Sequence, residues 1–86
     1  MSANIKKWYV YLLRCSDETL YCGVTTDIGR RLSEHNNTSK GAKYTRGRRP
    51  VELVGYFEEE SRSCALSAEI KIKRLKREEK IAVFLK

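Results

Sequence analysis

Clusters of apolar residues divide the chain into short strands and helices. Residues 8–14 are rich in aromatic, β-branched and leucine side chains, which predicts a strand covered on both faces. Residues 20–25 have a similar composition, and the polar turn at 16–19 between the two segments predicts an antiparallel hairpin. A third apolar run over residues 51–57 follows Pro50 and predicts the last strand, with an acidic turn after it.

The segment after the hairpin has helical spacing. Asp27 is a good N-cap, and it predicts a helix that runs to about residue 35 or 36. Ile28, Leu32 and His35 then fall on one face of this helix, which we expect to turn towards the sheet.

Two further helices are expected near the C-terminus. Ser63 predicts the start of a second helix that ends near residue 75 or 76, and residues 78–85 have the pattern of a short third one. The element order is β-β-α-β-α-(α). It predicts an α/β (α+β) fold, with a three-stranded antiparallel sheet flanked by helices in a single domain over residues 1–86.

Residues 36–50 differ in kind from the rest and are expected to lack regular structure. A loop of this length in a compact domain is usually functional or disordered. Its cations surround one large aromatic residue, Tyr44, and are Lys40, Lys43, Arg46, Arg48 and Arg49. Flexible cations beside an aromatic ring suit a phosphate backbone and an unstacked base, and a disordered, solvated loop is the alternative.

The charge balance favours a polyanionic partner. The 86 residues include 18 Lys and Arg against 11 Asp and Glu, a net charge of +7. Such an excess attracts nucleic acid first and an anionic membrane surface second. A domain of this size has no room for a deeply enclosed cofactor, so we expect a site on the surface of the sheet.

The cysteines predict neither a disulfide framework nor a zinc site. Cys15, Cys22 and Cys64 are odd in number, they form no C-x-x-C pair, and His35 is the single histidine. We interpret all three as reduced, buried thiols of a cytoplasmic protein, with a Cys15–Cys22 disulfide across the hairpin as a less favoured alternative. No apolar run is long enough for a membrane span or a signal sequence.

A carboxylate on the second predicted helix is the first candidate for chemistry. Glu69 lies four residues after Ala65 and three before Ile72, and so on the side of the apolar stripe. A carboxylate there needs a partner or a metal. The alternative is a surface ion pair with Lys73 at i+4.

The first helix and the hairpin supply further candidates. Arg31 and His35 are i, i+4 neighbours that can present two donors to one phosphate, unless they belong to a solvated basic face. Tyr11 lies on the first strand and Tyr21 on its partner, where core packing is the usual role of an aromatic residue. We assign Tyr9 mainly to structure.

Together these residues resemble the GIY-YIG nuclease domain. The resemblance rests on several motifs in register over about residues 7–77: Tyr9-Val10-Tyr11, Tyr21-Cys22-Gly23, Thr25, Asp27, Arg30-Arg31-Leu32, His35-Asn36 and the later Ala65-Leu66-x-x-Glu69-x-x-Ile72-Lys73-x-Leu75. Gly41-Ala42-Lys43-Tyr44-Thr45-Arg46 is most similar to the small stand-alone bacterial members (YhbQ/YazA-like). The chain is also similar to the catalytic subunit of structure-specific junction endonucleases. Tyr9 and Cys22 depart from the family motif, which has Gly and Ile there.

The resemblance implies metal-assisted hydrolysis of phosphodiester bonds. Glu69 would then bind one divalent ion, Mg²⁺ or Mn²⁺, and Arg31 would neutralise charge on the phosphoryl oxygens. Tyr21, with Tyr11 as its partner, would take a proton from water, and His35 is the alternative base or a phosphate ligand. Gly23 would let the phosphate approach the backbone.

The expected partner is nucleic acid, with DNA favoured over RNA. Contacts are expected from Gly23 and from side chains of the first helix and the basic loop, namely Arg30, Lys40, Lys43, Tyr44, Arg46 and Arg48. The chain is expected to be a monomer, to act away from membranes, and to use a partner protein or DNA structure for specificity. A non-catalytic nucleic-acid-binding or accessory module on the same fold is the alternative function.

Overall fold

The computed structural model describes residues 7–85. It contains three strands and four helices: β1 Trp8–Arg14, β2 Leu20–Thr25, α1 Ile28–Asn37, α2 Lys43–Arg46, β3 Glu52–Glu59, α3 Arg62–Lys73 and α4 Arg77–Phe84. The expected order and the single antiparallel sheet are confirmed. Helix α2, which lies within the predicted loop, is the addition.

Strand β1 is the central strand of the sheet, which has the order β2-β1-β3. It pairs with β2 through the hairpin and with β3 on its other side, both antiparallel. Because side chains alternate along a strand, β1 supplies hydrophobic residues to both faces of the sheet. Val10, Leu12, Tyr11 and Leu13 are all buried, as expected for a strand covered on both sides.

Each face of the sheet has its own hydrophobic cluster. One face packs against α3 and α4 and includes Val10, Leu12, Cys22, Ala65, Ile72 and Phe84. The other lies under α1 and includes Tyr11, Leu13, Cys15 and Val51, with Tyr21, Ile28 and Leu32 packed against them. The site described below spans both faces at the β2 edge of the sheet.

The boundaries around the third strand and third helix differ from those expected. Strand β3 continues through Glu58 and Glu59, which pair with Tyr9 and Trp8, so the acidic turn is shorter than predicted. Ser61, rather than Ser63, caps α3, since its hydroxyl accepts a hydrogen bond from the Cys64 backbone at 3.1 Å. The helix also ends earlier, at Lys73.

The cysteine prediction was wrong for one residue. Cys15 and Cys22 are buried thiols, but Cys64 on the first turn of α3 is exposed. All three are free. Among residues 7–85, none of the helices has the length and apolar character that crossing a membrane requires.

Candidate active site

The Tyr11 phenol lies across the backbone of the neighbouring strand. Tyr11 pairs with Gly23 in the sheet register, and a Cβ atom added to Gly23 would lie 2.5 Å from the Tyr11 hydroxyl oxygen. Only glycine leaves room for the ring in this position. The Tyr11 phenol therefore occupies the space beside Gly23, where the sequence analysis had expected a phosphate.

A chain of three buried polar side chains begins at this hydroxyl. The Tyr11 hydroxyl lies 2.8 Å from Nε2 of His35, and Nδ1 of His35 lies 2.8 Å from Oγ1 of Thr45. His35 and Thr45 have no exposed surface. Thr45 lies in α2, and it is one of the contacts between the loop and the site.

The shorter hydrogen bonds around His35 favour one tautomer of the ring. Thr45 donates its one hydroxyl proton to the carbonyl of Ala42 at 3.0 Å, so towards Nδ1 it accepts. Nδ1 then carries the ring proton, and Nε2 accepts a hydrogen bond from Tyr11. The Ala42 amide lies 3.4 Å from Nδ1, a longer and weaker contact that would favour the opposite tautomer.

Burial keeps both rings neutral. Burial raises the pKa of the Tyr11 phenol to about 12, and the neighbouring Arg31 guanidinium opposes that shift. Burial and, to a smaller extent, the positive charge of Arg31 together lower the pKa of His35 to about 4. At neutral pH the pair is a neutral phenol bonded to a neutral imidazole.

Arg31 is half-buried beside this pair. Its Nη1 donates to Oε1 of Glu34 at 2.9 Å and to the Lys40 carbonyl at 2.8 Å. His35 is enclosed, with both ring nitrogens in hydrogen bonds, so the expectation that Arg31 and His35 present donors to one phosphate is wrong. His35 contacts Tyr11 instead, and Arg31 is left as the cation that a phosphate can approach.

Glu69 reaches the same region from the other face of the sheet. Its carboxylate pairs with the ammonium group of Lys73 at 3.3 Å and is largely covered. The Lys73 ammonium lies 6.0 Å from the centre of the Tyr21 ring, and the Tyr21 ring lies 6.4 Å from that of Tyr11. A continuous series of contacts thus joins Glu69 to Tyr11. The ion pair expected as the alternative for Glu69 is present.

The residues around Glu69 limit the kind of metal ion that the site can bind. Within residues 7–85 no three His, Cys, Asp or Glu side chains group together as metal ligands. A lone carboxylate does not form a complete cage for a metal. It does suit Mg²⁺, which binds one or two carboxylates and takes its other ligands from water and substrate phosphates. Glu69 fits that role if Lys73 releases it or moves with it.

Some cations of the loop form hydrogen bonds and ion pairs within the protein, and others are exposed to solvent. Arg48 pairs with Asp17 at 3.0 Å and donates to the Tyr44 carbonyl at 2.8 Å, and Arg46 donates to the Ser39 carbonyl at 3.2 Å. Lys40 and Lys43 are exposed. Hydrogen bonds and ion pairs of these arginines therefore hold loop residues 36–50 in place, whereas the sequence prediction had assigned the arginines to nucleic-acid binding.

Two groups at the site were missed from the sequence, and one candidate lies at its periphery. Thr45 appeared in the sequence only as part of the Gly41–Arg46 resemblance and was given no role, because one hydroxyl in a polar segment has no periodicity to mark it. Lys80, from α4, approaches Tyr21 and Lys73, and its position depends on how α4 packs. Arg30 is exposed and lies 3.7 Å from Glu34.

The structure is a small α+β domain whose candidate site combines tyrosines from a hairpin, an arginine from the first helix and a glutamate from a later helix. The GIY-YIG catalytic domain model matches residues 7–82. The chain belongs to the GIY-YIG family, which confirms the resemblance seen in the sequence and extends it past residue 77.

Relatives and solved structures agree with this assignment. A UPF0213 protein of Cupriavidus necator is 49% identical over 82 residues, or 95% of this chain and 87% of its own. One from Haloquadratum walsbyi is 57% identical over 72 residues, or 84% and 80%. The solution NMR structure of EF2693 from E. faecalis is 45% identical, covers 91% of this chain and 82% of its own, and has a TM-score of 0.63. The chain thus matches 80% or more of the length of each of these three proteins.

Proposed function

We propose that this protein is a divalent-metal-dependent endonuclease that hydrolyses phosphodiester bonds in DNA and selects its substrate by DNA structure. The observation that carries the proposal is the hydroxyl of Tyr11. It is buried, bonded to a neutral His35 and close to Arg31, an arrangement that core packing alone does not require.

The tyrosine and histidine form an acid–base pair. As water attacks phosphorus, the Tyr11 oxygen accepts a proton from the water while the phenol proton moves to Nε2 of His35. This step creates an imidazolium beside Arg31, which is unfavourable in the free protein. A bound phosphate supplies the negative charge that offsets it, so the pair acts when substrate is present. The hydrogen bond to His35 favours Tyr11 over Tyr21 as the base.

Arg31 and Glu69 complete the set. The Arg31 guanidinium stabilises charge that develops on the phosphoryl oxygens. Glu69 would hold the divalent ion, which when bound supplies charge neutralisation at the scissile phosphate and leaving oxygen. Lys73, freed from Glu69, is then available to a neighbouring phosphate.

The test is a cleavage assay on a panel of branched, single-stranded and duplex DNA and RNA, with Mg²⁺, Mn²⁺ or chelator. Glu69→Gln should abolish cleavage and leave binding nearly intact, because it removes a ligand without changing the shape of the side chain. Glu60→Gln, an exposed glutamate next to α3, is the matched control. Cleavage that survives both Glu69→Gln and Arg31→Ala would refute the site.

The alternative is a non-catalytic nucleic-acid-binding module, and the Glu69–Lys73 ion pair is the observation that favours it. Such a module would bind the same DNA panel without cleaving any member in either metal. Its binding would depend on the exposed cations, so Lys40→Ala with Lys43→Ala would reduce the salt dependence while Glu69→Gln would change nothing. A requirement for a partner protein would appear as activity restored by cell extract to the wild type but not to Glu69→Gln.

A further inference from the structure

A cleft beside the candidate active site has the composition of a nucleotide site. It has a volume of about 270 Å³ and lies between β2, α2 and the two C-terminal helices, lined by Leu20, Tyr21, Cys22, Tyr44, Lys73 and Lys80. Tyr21 belongs to both the cleft and the series of contacts around Tyr11. Whatever fills the cleft therefore lies next to the phosphate that the active site would hydrolyse.

The aromatic wall of the cleft is held in place. The rings of Tyr21 and Tyr44 stack with centres 5.9 Å apart and planes 22° from parallel. The Arg48 guanidinium lies over the Tyr44 ring, 4.0 Å from its centre. Arg48 also forms an ion pair with Asp17. The Tyr44 ring is therefore held in position although it is partly exposed. An ordered aromatic wall binds a base without first losing conformational entropy.

The opposite side of the cleft is positively charged. Lys73 and Lys80 come from different helices and converge on the same opening. Burial raises the pKa of the Cys22 thiol in the cleft to about 12, the Glu69 carboxylate adds to this shift, and the ammonium groups of Lys73 and Lys80 oppose it, so all three charges lie near Cys22. Among residues 7–85, Glu69 is the one carboxylate that pairs with either lysine.

We propose that this cleft binds a single unpaired nucleotide that flanks the scissile phosphate, with its base against Tyr21 and Tyr44 and its phosphate on Lys73 and Lys80. The proposal rests on the endonuclease function above and adds a substrate feature to it. The cleft is slightly smaller than typical ligand pockets of about 300–1,000 Å³, a size that suits one base rather than a base pair. On this proposal the strand next to the cut is unpaired.

Binding of thymidine 3′,5′-bisphosphate, followed by amide chemical shifts, tests the site independently of cleavage. This ligand carries a base and two phosphates but no diester, so it is a ligand whether or not the protein is a nuclease. Shifts should centre on residues 20–22, Tyr44 and Lys80. Lys80→Ala should weaken binding about threefold or more, and Tyr44→Ala at least about fivefold.

Matched variants and simpler ligands complete the experiment. Lys71→Ala removes an exposed lysine of α3, and Tyr56→Ala an exposed tyrosine of β3, both outside the cleft, so neither should change the affinity. Inorganic phosphate should bind more weakly than the bisphosphate and shift only the amides near the lysines. Equal losses from Lys80→Ala and Lys71→Ala, or shifts centred on Lys40 and Lys43, would overturn the proposal.

The two proposals fail in different ways. Cleavage that depends on Glu69, without binding of the bisphosphate in the cleft, would refute the nucleotide site and leave the nuclease. Binding in the cleft by a protein that cleaves nothing would refute the nuclease and leave the site. If both hold, Lys80→Ala should lower kcat/KM more on substrates with an unpaired flank than Lys71→Ala does.

Discussion

The buried histidine should make the stability of this protein depend on pH in a window where few other groups titrate. His35 is the chain's one histidine. Its pKa falls from 6.5 to about 4 on folding, chiefly because burial disfavours the charged ring. Between these values the unfolded chain binds a proton that the native state does not. Stability is therefore fully present above the unfolded pKa and is lost as the pH falls towards the folded one.

The two pKa values give the size of the effect. A pKa of 6.5 unfolded and about 4 folded predicts a loss of about 2 kcal/mol between about pH 7 and about pH 5. The pKa values of Asp17 and Glu34 are lowered below the ordinary 3.8 and 4.5, chiefly by hydrogen bonds to Thr19 and Arg31 respectively. These two carboxylates therefore change the stability of the protein at a lower pH than His35 does.

Urea denaturation at a series of pH values measures the loss directly. The midpoint should fall with pH while the slope stays constant, because the surface exposed on unfolding does not change. The NMR signals of the imidazole give an internal check, since one histidine leaves no ambiguity of assignment. A native ring that titrates near 6.5, or a midpoint that is flat from about pH 7 to about pH 5, would refute the enclosed neutral imidazole.

Three further predictions concern single positions. Ser61→Ala should cost about 1 kcal/mol in the free energy of unfolding because it removes the cap of α3, whereas Ser63→Ala should change it by less than about 0.5 kcal/mol; the reverse order in urea denaturation would place the cap at Ser63. Gly23→Ala should cost about 1–3 kcal/mol and displace the Tyr11 ring, seen as a shift of the imidazole signals, and unchanged signals would contradict the close approach. Cys64 should react with iodoacetamide in the native protein while the two buried cysteines do not, as mass spectrometry of the labelled peptides would show; labelling of all three at one rate would contradict their burial.

The elements that could be predicted from the sequence are those with a local signal. The aromatic and β-branched run of β1, the short turn after it and the Asp27 cap each act over a few residues, and each has its expected place. The cap of α3 could not be chosen in this way, because Ser61 and Ser63 lie two residues apart and are both good caps. The end of β3 was also missed, because Glu58 and Glu59 pair with β1 through a long-range contact that has no local signal.

In the candidate site, too, some residues could be predicted from the sequence and others could not. Tyr11, Tyr21, Arg31 and Glu69 were recognised through a resemblance spread over most of the chain. In the structure the rings of Tyr11 and Tyr21 lie beside His35, Arg31 lies near Tyr11, and Glu69 is linked to Tyr21 through Lys73. The bond between His35 and Thr45 crosses ten residues of a segment with no regular pattern. Nothing local marks a hydroxyl that orients an imidazole, so its role becomes visible only in three dimensions.

The arginines of the loop show why charge in a sequence does not locate a binding surface. Arg46, Arg48 and Arg49 all donate to backbone carbonyls of the segment they belong to or of the helix before it. Guanidinium groups used in this way hold α2 against α1, and thereby Thr45 against His35. Removing them should disturb the site through the tautomer of His35 rather than through lost phosphate contacts.

The cations left for substrate are therefore mostly lysines. Lys40 and Lys43 are exposed on the loop, and Lys73 and Lys80 line the cleft together with Tyr44. An ammonium group on a flexible stem can follow a phosphate as it moves, whereas a guanidinium fixed to carbonyls cannot. We therefore expect substitutions of the loop arginines to lower the stability of the protein, and substitutions of these lysines to lower its affinity for nucleic acid. A lysine variant that unfolds the protein, or an arginine variant that weakens binding at unchanged stability, would contradict it.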